Sequence, residues 1–173
     1  SLKRFRHTAL LAMMTAAIAG GYITSQILYK GAYRTDAMAF SHYAAILFLM
    51  GQNPYVADLD PALTMFAVDP SYITLTPTMD ISTNLAYPSL HFLYFAPFAA
   101  IGIQDMRPVI FAFEMVALGA IYWKAPAEIR PIILAPIFVN TDLAIDFNAG
   151  CVTDALWVLP MVLAVFLIKD PFK

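Results

Sequence analysis

Long runs of apolar residues separated by short polar segments dominate the hydrophobic pattern of this chain. The first run covers residues 8–29 and follows a basic start that contains Lys3, Arg4 and Arg6. About 20 apolar residues are enough to cross roughly 30 Å of hydrocarbon, and a basic flank before a first span favours a cytoplasmic N-terminus. The run is long for the apolar part of a secretory signal peptide. The pattern therefore predicts a retained membrane anchor.

Further apolar runs predict additional spans at about residues 87–103, 108–123 and 155–168. The run at 131–139 is too short to cross a bilayer, which indicates a half-helix or a re-entrant segment. The polar segments then form outer loops at residues 30–86 and 140–154, on one side of the membrane. If 131–139 crosses instead, Lys169 and Lys173 lie outside, against the positive-inside rule. We predict an all-α membrane protein, a polytopic helical bundle in which residues 1–173 form a single transmembrane domain.

The first outer loop contains a short helix and a candidate strand. Residues 36–50 have helical spacing of apolar positions; Thr35 can cap the start of this helix and Gly51 can end it. The helix is too short to span, so we predict that it lies along the outer membrane surface. Alternating polar and apolar residues at 71–76 predict a short strand, with a turn near Pro77.

The composition agrees with a membrane protein and argues against several other classes of protein. Of the 173 residues, 61% are hydrophobic and 13% are charged, whereas soluble domains carry roughly 25% charge. The net charge of -2 without a basic run gives no footprint for nucleic acid. Cys151 is the single cysteine, which excludes an internal disulfide, and no Cys/His cluster has metal-ligand spacing. The sequence begins with Ser1, and we expect that it is part of a longer chain.

Two acidic residues at the starts of helices are the main candidates for chemistry. Asp36 opens the surface helix, and Asp154 repeats its Thr-Asp-Ala context. An acid at a helix N-terminus is ordinarily worth about 0.3–1 kcal/mol of stability through the helix dipole. The alternative is a general base, because partial desolvation beside lipid raises the pKa of a carboxylate. Asp142 follows Thr141 in the same way and is a further candidate.

Several basic and histidine side chains could bind a phosphate or a carboxylate. They are Arg34, His42, His91, Lys124 and Arg130. Each could also be an interfacial side chain with its apolar stem in lipid, which is the simpler interpretation for Lys124 and Arg130. Arg34 is the strongest candidate, because it directly precedes Thr35 and Asp36.

The order of short motifs along the chain carries a family resemblance. A first span leads to Thr35-Asp36, followed by Gly-Gln-Asn-Pro-Tyr at 51–55, Tyr-Pro-Ser-Leu at 87–90 and Gly-Cys-Val-Thr-Asp-Ala-Leu-Trp at 150–157. Over residues 8–168 this order resembles the N-terminal part of the polytopic glycosyltransferases of the GT-C superfamily. The resemblance is nearest to the polyprenyl-phosphate-mannose-type transferases.

The resemblance implies a function and roles for particular residues. Members of the family transfer a sugar from a lipid-phosphate donor, with inversion, on the extracytoplasmic face. Asp36 matches the family's catalytic acid-base residue in the first outer loop, and Asp154 matches its second acid, with Asp142 behind it. Arg34 or His42 would neutralise the leaving phosphate, and His91 is a further substrate-binding candidate. Ala37 stands where some branches carry a second acid, and a divalent metal remains an open possibility.

A non-catalytic role remains open beside the enzymatic one. A Pro-rich chain of few spans could be an accessory or structural subunit of a larger membrane complex, because irregular backbone in a bilayer must be buried or wet. The expected partners are then other membrane subunits as well as lipids. A transporter is a third possibility, suggested by Glu114 in the middle of a predicted span.

Overall fold

The computed structural model describes residues 32–130, 153 and 155–169, together with residues 8–9, 12–13, 15–16, 19–20, 23–24 and 27, which are helical. Among the described residues from 32 onwards, the α-helices are α1 (Asp36–Leu49), α2 (Asp60–Met65), α3 (Ser89–Ala100), α4 (Arg107–Lys124) and α5 (Ala155–Lys169), and a 3-10 helix covers Pro70–Tyr72.

The bounds of α1 agree with the prediction, but one of its caps does not. Gly51, at φ +75°, donates its N–H to the Phe48 carbonyl, and Gln52 donates to the Leu47 carbonyl, both at 2.9 Å. This is a Schellman turn, and it confirms the predicted stop at Gly51. Thr35 occupies the N-cap position in an extended conformation, but its side chain makes no capping hydrogen bond. The predicted role of its hydroxyl as a cap is therefore wrong.

Helix α1 forms part of the core and does not lie on a surface. Nine of its 14 residues are buried, and it packs against α2 and α3. Small side chains at Ala39, Ala44 and Ala45 are fully buried and allow neighbouring elements to approach from several directions. The predicted surface helix is therefore a central helix.

Helices α1 and α3 run antiparallel, and the chain between them folds back onto the start of α1. Phe48, near the end of α1, contacts Phe92 in the first turn of α3, with ring centroids 5.7 Å apart. In the connecting segment, Leu75 and Ile81 form an isolated antiparallel bridge. Thr76 donates its N–H to the Asp80 carbonyl at 2.8 Å, which closes the predicted turn near Pro77. The strand predicted at 71–76 is thus reduced to one bridge after the 3-10 helix.

The prediction of a polytopic membrane bundle is wrong for the part of the chain that the structure describes. No helix there is both long and apolar enough to cross a bilayer. The apolar run at 87–103 yields only the 12 residues of α3, about 18 Å of helix, because Gly102 at φ +84° ends it. Helix α5 has 15 residues, about 22 Å. Helix α4 has 18 residues, among them Arg107, Glu114 and Lys124.

Candidate functional site

Asp36 ties the connecting segment to the start of α1. Its side chain is buried, with 6% of the residue exposed. One carboxylate oxygen accepts the N–H of Ala37 at 2.7 Å, and the other accepts the N–H of Thr74 at 2.6 Å. Each oxygen of a carboxylate can accept two hydrogen bonds, so each retains one site for another donor. Asp36 thus has a structural task that its position at a helix start did not reveal.

Arg34 is engaged with the same segment. Its guanidinium lies 4.3 Å from the centroid of the Tyr72 ring and donates a hydrogen bond to the Tyr72 hydroxyl. Hydrogen bonds from the side chain and backbone of Ser71 lower the pKa of Asp69, and the charge of Arg34 adds to this effect. Arg34 and Asp36 therefore hold residues 69–74 from two sides.

His42 belongs to a buried network that sequence reasoning did not find. Its Nδ1 lies 2.9 Å from the Tyr33 hydroxyl, which also accepts the N–H of Met106 at 2.9 Å. The His42 ring stacks on Phe66 with centroids 4.6 Å apart. Burial lowers the pKa of His42 to about 4, although the charge of Asp105 raises it. Burial therefore favours the neutral form of His42 at physiological pH, and its predicted role beside a phosphate stays a prediction.

A cavity of about 590 Å³ lies beside this network, and we call it the His42 cavity. Its polar lining comes from His42, Gln104 and Asp105. The carboxylate of Asp105 accepts two hydrogen bonds of 2.9 Å, from Nε and Nη2 of Arg107. The Arg107 side chain is 1% exposed and that of Asp105 is 33% exposed. No local feature of the sequence indicates that residues 104–106 lie against Tyr33.

His91 lies elsewhere, in a packing contact between α3 and α5. Its ring stacks on Tyr87 with centroids 4.9 Å apart and an interplanar angle of 6°. Its centroid is also 4.8 Å from that of Trp157. The residue is 1% exposed. His91 therefore packs against aromatic rings, and its predicted role in substrate binding stays a prediction.

The predicted second acids are not placed by the structure. Asp142 and Asp154 lie outside the described residues, so their roles stay predictions. Of the Thr-Asp-Ala repeat, Thr153 is buried, and its carbonyl accepts the N–H of Leu156 at 3.0 Å.

An apolar groove between α4 and α5 is a second feature that sequence reasoning missed. We call it the α4–α5 groove; it has a volume of about 550 Å³, and its lining includes Ile121, Val158, Met161, Val165 and Phe166. Lys124 also lines it, with Nζ 5.7 Å from the centroid of the Phe166 ring. Arg130 is anchored nearby, because its Nε donates to the carbonyl of Ala125, another lining residue, at 3.1 Å.

Two basic side chains, those of Lys124 and Arg130, lie near this groove. Lys124 and Arg130 lie where α4 ends, and the Arg130 guanidinium is 5.3 Å from the centroid of the Tyr122 ring. Lys124 is the basic residue in the last turn of α4, where a cation also complements the helix dipole. The groove therefore has apolar walls, with Lys124 in its lining and Arg130 close by.

Comparison with known proteins returned no matching family model, curated protein or solved structure.

Proposed function

We propose that this protein takes part in sugar transfer from a lipid-phosphate donor to an acceptor hydroxyl on the extracytoplasmic face of a membrane. The observation that carries the proposal is the α4–α5 groove with Lys124 in its lining. A polyprenyl phosphate has an apolar chain and an anionic head. Apolar walls suit the chain, and an ammonium or guanidinium group attracts the phosphate.

In this proposal Asp36 has the role that the family resemblance implies. A lone pair left open on its carboxylate accepts the proton of the acceptor hydroxyl. The hydroxyl oxygen forms a bond to the anomeric carbon of the sugar as the bond to the phosphate oxygen breaks. The electron pair of that bond leaves with the lipid phosphate, whose charge Arg34 offsets, as the family resemblance implies. Arg34 supports Asp36 by holding residues 69–74, while His42 stays neutral.

The test is transfer of labelled sugar from a panel of polyprenyl-phosphate sugars by the full-length protein in membranes. We expect Asp36→Asn to lower kcat by about 100-fold or more, as for a lost general base. Lys124→Gln should mainly raise KM for the donor. Asp60→Asn is the matched control, because Asp60 also opens a helix but is exposed. Absence of transfer by the wild type from every donor in the panel would refute the proposal.

A non-catalytic subunit is the second candidate, and the exposed apolar side chains of α4 and α5 favour it. Val116, Trp123 and Met161 are 55%, 81% and 65% exposed. An apolar patch of this kind suits a partner subunit as well as lipid. This candidate predicts that a photo-crosslinker at position 123 captures one defined membrane protein in stoichiometric yield. Crosslinks to lipid alone would argue against it.

A further inference from the structure

The His42 cavity is separate from the groove assigned to the lipid donor. It lies between α1 and the loop that links α3 to α4, and its volume of about 590 Å³ falls within the range of small-ligand cavities, roughly 300–1,000 Å³. Helix α1 supplies His42 and Ile46, the end of α3 supplies Ala99, and the loop supplies Ile103, Gln104 and Asp105. Met65 and Phe66 at the end of α2 complete the lining, so four segments surround one space with both polar and apolar walls.

The charges around this cavity are balanced within the protein. Asp105 carries the negative charge, and the buried Arg107 guanidinium pairs with it through two hydrogen bonds of 2.9 Å. His42 is neutral at physiological pH because burial lowers its pKa. An ionic ligand would therefore find no uncompensated counter-charge among these three groups. The cavity favours a neutral ligand.

The polar lining offers hydrogen-bond donors and acceptors together. The exposed Gln104 amide both donates and accepts hydrogen bonds. The Nδ1 of His42 is engaged with the Tyr33 hydroxyl, so Nε2 is the ring nitrogen available to a ligand. A hydroxyl group can donate and accept at once and so matches such a lining. The side chains of Ile46, Ala99 and Ile103 provide apolar contact for the C–H groups of a sugar ring.

We propose that the His42 cavity binds a neutral sugar. Binding of the sugar is independent of the proposed function, and it can be measured without any lipid donor.

The experiment is saturation-transfer NMR on the full chain with methyl glycosides of mannose, glucose and galactose as probes. Ala99→Leu places a larger side chain in the cavity and should abolish the signal of any probe that binds. Ala100→Leu is the matched control, because Ala100 is the exposed neighbour and does not line the cavity. Gln104→Ala changes only an exposed side chain, and it should weaken binding by about three- to tenfold through a lost hydrogen bond.

The outcomes separate this inference from the proposed function. Binding that Ala99→Leu abolishes and Ala100→Leu preserves supports the cavity as the sugar site, even if no donor is ever found. Absence of binding for all three probes overturns the inference. Binding that survives both Ala99→Leu and Gln104→Ala also overturns it, because the sugar must then lie elsewhere. Transfer activity without probe binding would leave the proposed function in place and remove this site.

Discussion

The carboxylate of Asp36 is a buried acceptor for backbone N–H groups, and this task has energetic consequences. Removing one partner from a buried hydrogen bond leaves the other without compensation for its lost hydration. The Thr74 N–H depends on Asp36 in this way, at 2.6 Å. A catalytic role for Asp36 would be added to this structural one, so the two must be measured separately.

We expect Asp36→Asn to lower the free energy of unfolding by about 1–3 kcal/mol. The asparagine amide has only one oxygen, so it cannot accept from both Ala37 and Thr74 on separate oxygen atoms. Urea denaturation monitored by circular dichroism measures the change. Asp60→Asn, at the exposed start of α2, should stay within about 0.5 kcal/mol of the wild type. Equal stability of the two variants would show that the Thr74 contact contributes nothing.

Acid should destabilise the protein through His42. The pKa of His42 is about 4 in the folded chain, against an ordinary value of 6.5, so the unfolded state binds more protons between pH 4 and pH 6.5. The neutral side chain of His42 therefore contributes its full stabilisation above pH 6.5, and this contribution is lost as the pH falls towards 4. The difference between the two pKa values corresponds to about 3 kcal/mol in the free energy of unfolding.

Stability curves from pH 4 to pH 8 test this expectation, and Glu114→Gln is the suitable background. Burial raises the pKa of Glu114 to about 7. The contribution of Glu114 to the free energy of unfolding therefore falls as the pH rises from 4.5 to 7, which is opposite to the effect of His42. In the Glu114→Gln background, His42→Gln should reduce the loss of stability on the acid side of the curve, between pH 6.5 and pH 4. An unchanged acid limb would assign the effect to another group.

Sequence reasoning found several residues of the site but not the partners that give them their roles. Arg34, Asp36 and His42 lie near the start of α1, as their positions in the chain suggested. However, Tyr33 reaches Met106 across 73 positions, and no local pattern reports such a contact. Nothing in the sequence marked Asp105 or Arg107 as part of this network, for the same reason. The neutral state of His42 depends on this tertiary burial and could not be predicted from its neighbours in sequence.

At the scale of elements, the bounds of α1 were predictable and its surroundings were not. Apolar periodicity and Gly51 are local signals, and they gave the helix and its end correctly. Periodicity also predicted a single apolar face, whereas Ala39, Ser41 and Ala45 are fully buried as well. Small residues carry little hydrophobic signal, yet they permit close packing on more than one side of a helix.

The buried alanines of α1 therefore predict a sharp response to added volume. Ala44 is 0% exposed, and Ala44→Leu should lower the free energy of unfolding by about 1–3 kcal/mol through overpacking. Thermal denaturation measures the loss. On a helix that lies along a surface, the same change would be nearly neutral, as we expect for Ala100→Leu at the exposed end of α3. A neutral result at Ala44 would contradict the central position of α1.

At the scale of the whole molecule, the apolar surface of α4 and α5 should respond to lipid. Trp123 is 81% exposed, and the chain contains two tryptophans. In a Trp157→Phe background, its fluorescence should shift to shorter wavelength when undecaprenyl phosphate in detergent is added, because indole leaves water. Lys124→Gln should weaken the response to the phosphate, and undecaprenol, which lacks the phosphate, serves as the comparison. Identical responses to both lipids would exclude recognition of the head group.

The turn at residues 76–80 has a practical consequence for manipulation of this protein. Its tip is exposed, with Met79 at 74%, while its base is fastened by the bond between Asp36 and the Thr74 N–H. Exposed loop tips are the places where insertions are best tolerated. An epitope tag placed between Thr78 and Met79 would therefore be displayed without loosening the base of the turn. Antibody access to this tag in intact cells would test whether Asp36 faces the outside of the cell, as the proposed function requires.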